Sequence, residues 1–161
     1  MDSYIIDTNV LIVANEKYPN AGDKNILDCQ RFLYNVREKH LSVDSLELIF
    51  KEYISHANLS GQPGMGDEFL KWFYYNQYNT AVCEQVEITP DEERGFFEFP
   101  ADESLKYFDR SDRKFAAVAA ASEFDAVICD ATDSDWWYYK DAFEKVGIKI
   151  NFLCPELIKK D

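Results

Sequence analysis

The sequence predicts an α/β fold: a three-layer α/β/α sandwich with a mostly parallel central sheet. Short apolar runs typical of buried strands alternate along the chain with longer segments of helical periodicity. Strands that alternate with helices form parallel sheets through right-handed crossovers. The chain has 161 residues and shows no linker or internal repeat, so we expect a single domain covering residues 1–161.

The predicted strands are short apolar runs, and two of them end at an aspartate. The first run ends at Asp7, where a turn carrying Thr8 and Asn9 follows, and the second ends at Asp44. In an open parallel sheet, ligands bind beyond the carboxyl ends of the strands, so acids at these positions indicate a site. The predicted strands are 4–7, 41–44, 81–89, 126–129 and 148–153.

The predicted helices are segments in which apolar residues recur three and four positions apart. In the alanine-rich helix that ends near Ser122, Asp109 or Ser111 is a good N-cap and Asp112 lies in the first turn. The segment 90–107 is acidic and irregular, with a short helix expected at 91–95, and 155–161 is predicted to be a short tail. The other predicted helices are 10–14, 26–39, 45–58, 67–78 and 138–145.

The composition limits the class of protein. An apolar share of 47% fits a globular protein, and no apolar run reaches the roughly 20 residues of a membrane span. Without a membrane span or a signal peptide, we expect a cytoplasmic protein. The formal net charge of −13 disfavours nonspecific binding to nucleic acid. That charge is compatible with carboxylates clustered around divalent cations and with a basic protein partner.

The four cysteines do not form a metal-binding motif. Cys29, Cys83, Cys129 and Cys154 are scattered, without the paired spacing of a structural zinc site. Cys129 and Cys154 lie in apolar, strand-like runs, so we expect them to be buried, reduced thiols.

Acidic residues gather at the predicted strand ends and helix starts. Parallel strands bring their carboxyl ends to one edge of the sheet, so several of these acids can converge. Carboxylates that cluster repel one another unless a cation neutralises them, and Mg²⁺ or Mn²⁺ prefers such oxygen ligands. The chemistry this predicts is metal-assisted phosphodiester hydrolysis. The acids are Asp7, Asp44, Asp112, Asp130, Asp133 and Asp135, with Glu47 and Glu52 on the helix after the second strand.

Three segments in series resemble the PIN-domain (PilT N-terminus) family. They are 5–11 (IIDTNVL), 111–119 (SDRKFAAVA) and 127–136 (VICDATDSDW). The resemblance implies a compact α/β/α fold and a Mg²⁺- or Mn²⁺-dependent nuclease that acts on RNA. Many bacterial members are toxins of toxin–antitoxin pairs and form homodimers, which implies a possible homodimer and a basic, antitoxin-like protein partner here. The alternative is a non-catalytic PIN-like module that binds a basic protein.

The resemblance also implies a set of catalytic acids. Asp7 matches the first acid of the family and Asp112 the third, and a glutamate on the helix after the second strand would be the second. Glu52 and Glu47 both qualify but lie about 140° apart around a helix. We favour Glu52, because its neighbour Tyr53 lies on the apolar face and can fix the rotation of the helix.

The fourth acid lies in the last motif, where Asp133 is the first choice and Asp130 and Asp135 are alternatives. The predicted catalytic set is therefore Asp7, Glu52, Asp112 and Asp133, of which the three aspartates would hold the metal.

Residues around the acids are predicted to contact substrate. Thr8 and Asn9 match the turn of the family, where a hydroxyl or amide can hold Asp7 or a water on the metal. Arg113 follows Asp112 and could contact a phosphate, although offsetting nearby acids on a solvated surface is the slightly favoured alternative. Trp136 and Trp137 could stack on bases, but in a domain of this size we expect at least one of them in the core.

Overall fold

The computed structural model describes residues 2–158. The strands are β1 (Asp2–Ile6), β2 (Leu41–Asp44), β3 (Cys83–Val86), β4 (Pro90–Asp91), β5 (Gly95–Phe96), β6 (Asp125–Asp130) and β7 (Lys149–Phe152). The main sheet is all parallel and has the strand order β3-β2-β1-β6-β7, and a separate two-stranded sheet pairs β4 with β5.

Helices cover both faces of the main sheet. The helices are α1 (Thr8–Ala14), α2 (Asp23–Asn35), α3 (Leu48–His56), α4 (Met65–Asn76), α5 (Arg113–Ala121), α6 (Ser134–Tyr138) and α7 (Lys140–Lys145). Helices α1, α2 and α4 pack on one another, whereas α5 packs on β1, β2 and β6, and α7 packs on β7. The predicted three-layer α/β/α sandwich is confirmed. Within residues 2–158, no helix is both long and apolar enough to cross a membrane.

The core forms where small and branched side chains let helix and sheet approach closely. Ile5 of β1 and Ile128 of β6 are fully buried in the middle of the sheet. Ala116 and Ala117 of α5 are also fully buried, which agrees with the close packing that the alanine-rich segment predicts.

The strand order reverses between β1 and β6. From β1 the chain continues to β2 on one side and returns later to β6 on the other. The two strands end level with each other, because Ile6 pairs with Cys129 and the Asp7 amide donates to the Cys129 carbonyl at 3.0 Å. Such a reversal opens a crevice at the carboxyl ends of the strands, which is where ligands bind in α/β sheets.

The structure corrects the helix predicted at 91–95. Here β4 and β5 pair antiparallel, with Asp91 opposite Gly95. The Asp91 carboxylate accepts the Arg94 amide at 2.8 Å, and Gly95 has a φ of +85°, which favours glycine. Both features close a tight turn, and they compete successfully with helix formation.

Other predicted elements differ at their ends. Helix α3 begins three residues later than predicted, because Glu47 has a φ of +63° and the Asp44 carboxylate accepts the Leu48 and Ile49 amides. The predicted 138–145 helix is two short helices that begin at Ser134. The predicted tail includes a 3₁₀ turn at Pro155–Leu157, and residues 159–161 lie outside the described part of the chain.

All four cysteines are buried and free of disulfides, as predicted for Cys129 and Cys154. Cys29 and Cys154 lie with their sulfur atoms 3.7 Å apart.

Candidate metal centre

Three carboxylates meet near the carboxyl ends of β1 and β6. One oxygen from each of Asp7, Asp112 and Asp133 lies within 4.8 Å of the other two. Asp7 directly follows β1 and caps α1, Asp112 ends the 3₁₀ turn (Arg110–Asp112) before α5, and Asp133 caps α6. The three side chains come from distant parts of the chain and are brought together by the sheet. These are the three acids predicted to hold a metal, and their oxygens could bind one.

The electrostatics of this cluster favour protonation when no cation is present. Burial, helped by the charges of Asp133 and Glu52, raises the pKa of Asp7 to about 7, although hydrogen bonds from Trp136 and the Asn9 backbone amide act to lower it. Burial, the Asp7 charge and a hydrogen bond with Asp133 raise the pKa of Asp112 to about 9. A divalent cation would replace these protons and let the carboxylates ionise together.

Trp136 fixes the orientation of Asp7. Its indole Nε1 donates to Asp7 Oδ2 at 2.8 Å, and the ring is fully buried against Phe108, with 4.8 Å between ring centroids. The predicted core position is correct for Trp136, but sequence reasoning missed its hydrogen bond to Asp7. The signal was available in the last motif, where Trp136 follows the predicted metal-binding Asp133 by three residues.

Asp130 and Asn9 join the two strand ends beneath the cluster. The Asp130 carboxylate is fully buried. Its Oδ1 accepts the Asn9 side-chain amide at 2.7 Å and the Asp133 backbone amide at 3.0 Å. The Asn9 side-chain oxygen, Oδ1, accepts the Ala131 backbone amide at 2.8 Å. The structure thus gives the Asn9 side chain internal partners in place of the predicted substrate contact.

Asp130 also carries a buried oxygen without a hydrogen-bond partner, Oδ2. Burial and the Asp7 charge raise the pKa of Asp130 to about 8. An unsatisfied buried carboxylate oxygen is costly, so a proton or a nearby cation is needed to neutralise it. This oxygen, together with the all-oxygen donor set, fits Mg²⁺ or Mn²⁺ at the adjacent cluster.

Glu52 lies beside the three aspartates but belongs to an ion pair. Its Oε1 accepts Lys114 Nζ at 2.8 Å, and its Oε2 accepts the Thr8 hydroxyl. The Tyr53 hydroxyl donates to the Ile6 carbonyl at 2.5 Å, which fixes the rotation of α3 as the sequence suggested. The contact between Glu52 and Lys114 was not anticipated.

The second-choice acids lie outside the cluster of three oxygens. Glu47 precedes α3 and accepts the Tyr78 hydroxyl. Asp135 is half-buried in the first turn of α6, where burial and the charges of Asp133 and Asp109 raise its pKa. Asp109 caps the 3₁₀ turn through the Ser111 amide at 2.9 Å, as predicted for a capping residue.

The placement of Arg113 corrects its predicted role in substrate binding. Its side chain is buried and donates to backbone carbonyls, among them Phe108 at 2.8 Å and Lys106 at 3.0 Å. The guanidinium carbon also lies 4.5 Å from the centroid of the Phe99 ring. Arg113 therefore holds the preceding loop in place, and no donor of this side chain is directed at the carboxylates in the described contacts.

No protein-family model, curated protein or solved structure matches this chain. The fold and the site alone define its class: a parallel α/β/α protein with a carboxylate centre, able to hold a metal, at the switch point of its sheet.

Proposed function

We propose that this protein is a Mg²⁺- or Mn²⁺-dependent nuclease of PIN type that hydrolyses phosphodiester bonds in RNA. The observation that carries the proposal is the convergence of Asp7, Asp112 and Asp133, whose oxygens lie within 4.8 Å of one another. Each comes from one of the three segments that resemble the PIN family. The choice of RNA as the proposed substrate is based on that resemblance.

A divalent cation bound here would supply Lewis-acid activation of the phosphate and of an attacking water. Asp7 is held for this task by the Trp136 indole on one oxygen and by the Asn9 backbone amide on the other. Asp112 shares a hydrogen bond with Asp133, and a cation held by these two carboxylates would displace the proton that the raised pKa of Asp112 favours. The buried Asp130 holds the Asp133 turn, so the ligands are fixed before substrate arrives.

The proposal is tested by incubating wild type with a pool of structured and single-stranded RNA in Mn²⁺, Mg²⁺ or chelator. We expect cleavage that requires the metal and falls by about 100-fold or more in Asp7→Asn, Asp112→Asn and Asp133→Asn. Asp141→Asn, which removes an exposed carboxylate on α7, is the matched control and should cleave like wild type. Cleavage that persists in chelator, or in all three site variants, would contradict the proposal.

A second candidate is a non-catalytic module that binds a basic protein. The net charge of −13 supports it, as does the internal use of the cationic side chains around Asp112. Arg110 donates to the carbonyls of Glu92 and Glu93 at 2.9 Å, and Lys114 is paired with Glu52. Mn²⁺ binding without RNA cleavage, together with capture of a basic antitoxin-like protein, would favour this candidate over the nuclease.

A further inference from the structure

A lysine lies next to the carboxylate centre. Lys114 Nζ is 2.8 Å from Glu52 Oε1 and 2.5 Å from the Ser111 carbonyl oxygen, and its side chain is only 12% exposed. Glu52 in turn is close enough to Asp7 for its charge to raise the pKa of that residue. The ammonium group therefore lies within the same acidic region as the three aspartates.

Both oxygens of Glu52 already have a donor. Oε1 accepts Lys114 and Oε2 accepts the Thr8 hydroxyl, so Glu52 offers no oxygen that is free of a hydrogen bond. The three-oxygen cluster, in contrast, is formed without Glu52. A cation bound by the aspartates would thus have Glu52 as a charged neighbour that is already neutralised.

Many phosphodiester-cleaving sites hold two metal ions about 3.5–4 Å apart. A second divalent ion on the Glu52 side of this centre would have to displace Lys114, because two cations at such a distance repel strongly in a partly buried site. An ammonium paired with a carboxylate supplies one positive charge there without any ion from solution.

We propose that Lys114 takes the place of a second divalent cation, so that the centre binds a single ion through Asp7, Asp112 and Asp133. This inference rests on the proposed metal-dependent function and specifies its stoichiometry. Lys114 has this effect by pairing with the Glu52 carboxylate, so it is a positioning residue.

The test is the number of Mn²⁺ ions bound, measured by isothermal titration calorimetry and by the electron paramagnetic resonance signal of free Mn²⁺. Wild type should bind one ion. Lys114→Met keeps most of the alkyl stem but removes the charge, so Glu52 becomes available and a second ion should bind. Lys114→Arg, which keeps the charge, should bind one ion.

Two further variants test whether the second ion depends on Glu52 and on the charge of Lys114 in particular. Lys114→Met combined with Glu52→Gln should return to one ion, because the added carboxylate charge is gone. Lys51→Met, the matched control, removes the charge of an exposed lysine next to Glu52 on α3 and should bind one ion.

Two bound ions in wild type, or one in a Lys114→Met protein with the circular dichroism of wild type, would overturn the inference and leave the nuclease proposal standing. No Mn²⁺ binding by wild type would overturn both proposals. If Lys114→Met does not fold, Glu52→Gln alone decides: one bound ion supports the inference, and loss of binding shows that Glu52 is a required ligand and overturns it.

Discussion

At the residue scale, Asp7 is the most constrained acid of the centre. Each of its oxygens accepts a hydrogen bond, one from the Asn9 backbone amide at 3.3 Å and one from the Trp136 indole at 2.8 Å. Both bonds favour the ionised form, whereas burial opposes it. Asp7 therefore keeps a fixed geometry whether it is protonated or ionised, which suits a carboxylate that could hold a metal ion.

Trp136→Phe should weaken Mn²⁺ binding by about 10- to 100-fold, the range found when a residue that supports a metal ligand is lost. Phenylalanine keeps an aromatic ring in the core but cannot donate to Asp7 Oδ2. The dissociation constant from isothermal titration calorimetry is the measurement. Trp137→Phe is the control, since Trp137 is half-buried against Phe152 and should leave the affinity unchanged. Equal affinities for wild type and Trp136→Phe would refute the role given to the indole.

Asn9→Ala should lower the free energy of unfolding by about 1–3 kcal/mol, because the buried Asp130 loses one donor and the Ala131 amide loses its acceptor. Urea unfolding followed by circular dichroism measures the change. Asn20→Ala, at an exposed position, should change it by less than about 0.5 kcal/mol. A similarly small effect of Asn9→Ala would show that Asn9 is not a structural link between the strand ends.

At the element scale, Arg113 connects α5 to the irregular segment before it. Its guanidinium donates to the carbonyls of Arg94, Lys106 and Phe108, which belong to β4–β5 and to the loop leading into α5. One side chain at the start of α5 thus fixes a long, acidic segment with little secondary structure of its own. Because Asp112 directly precedes Arg113, this anchoring also determines where that carboxylate lies.

Arg113→Met should destabilise the protein by about 3 kcal/mol or more, since the backbone carbonyls around the buried guanidinium, including the buried Phe108 carbonyl, lose their charged donor. Amide hydrogen exchange in residues 94–108 should accelerate more than in the strands. Arg110→Met provides the comparison, because Arg110 also donates to two carbonyls but is exposed, and we expect a loss below about 1 kcal/mol. Unchanged exchange in 94–108 would contradict the anchoring role.

Local patterns in the sequence predict most elements but few of the contacts between them. The β2 strand was predicted with its observed bounds, because Leu41 and Val43 alternate with polar residues, which is a local signal of a strand. The three motifs also identified Asp7, Asp112 and Asp133, the acids that the sheet brings together. The ion pair between Glu52 and Lys114 was missed, because the two residues are 62 positions apart and no local pattern joins them.

Capping and turn chemistry account for the remaining differences. The 91–95 segment is acidic and was expected to be helical, but the Asp91 side chain and the left-handed Gly95 form a turn. Arg113 was expected to face substrate because it is charged. Its burial depends on carbonyls of a loop whose course the sequence does not predict.

At the scale of the whole molecule, the carboxylate centre makes stability depend on pH. The pKa values of Asp7, Asp130 and Asp112 are raised to about 7, 8 and 9 in the folded protein, above their ordinary value of 3.8. Between pH 4 and 9 the native state therefore binds more protons than the unfolded state, so stability falls as pH rises through this window.

The melting temperature of the chelator-treated protein should accordingly drop by several degrees from pH 5 to pH 9. A shift of a single pKa unit corresponds to about 1.4 kcal/mol, and 1 kcal/mol to about 2–4 °C for a chain of this size, so with three raised pKa values a drop of several degrees is a lower bound. Saturating Mn²⁺ should reduce or reverse the drop, because the cation stabilises the ionised carboxylates. Differential scanning calorimetry with and without Mn²⁺ measures both. A melting temperature that rises with pH in chelator would show that these acids are ionised in the metal-free protein.

The hydrogen bond between Trp136 and Asp7 has an optical consequence. An ion that draws charge from the Asp7 carboxylate changes the electric field on the indole, and so its emission wavelength. Trp136 is fully buried, whereas Trp72 and Trp137 are half-buried, so a water-soluble quencher can suppress the other two preferentially. Trp136 thus offers an intrinsic fluorescent probe of the carboxylate centre, with which the binding of an added ion could be followed in real time without a label.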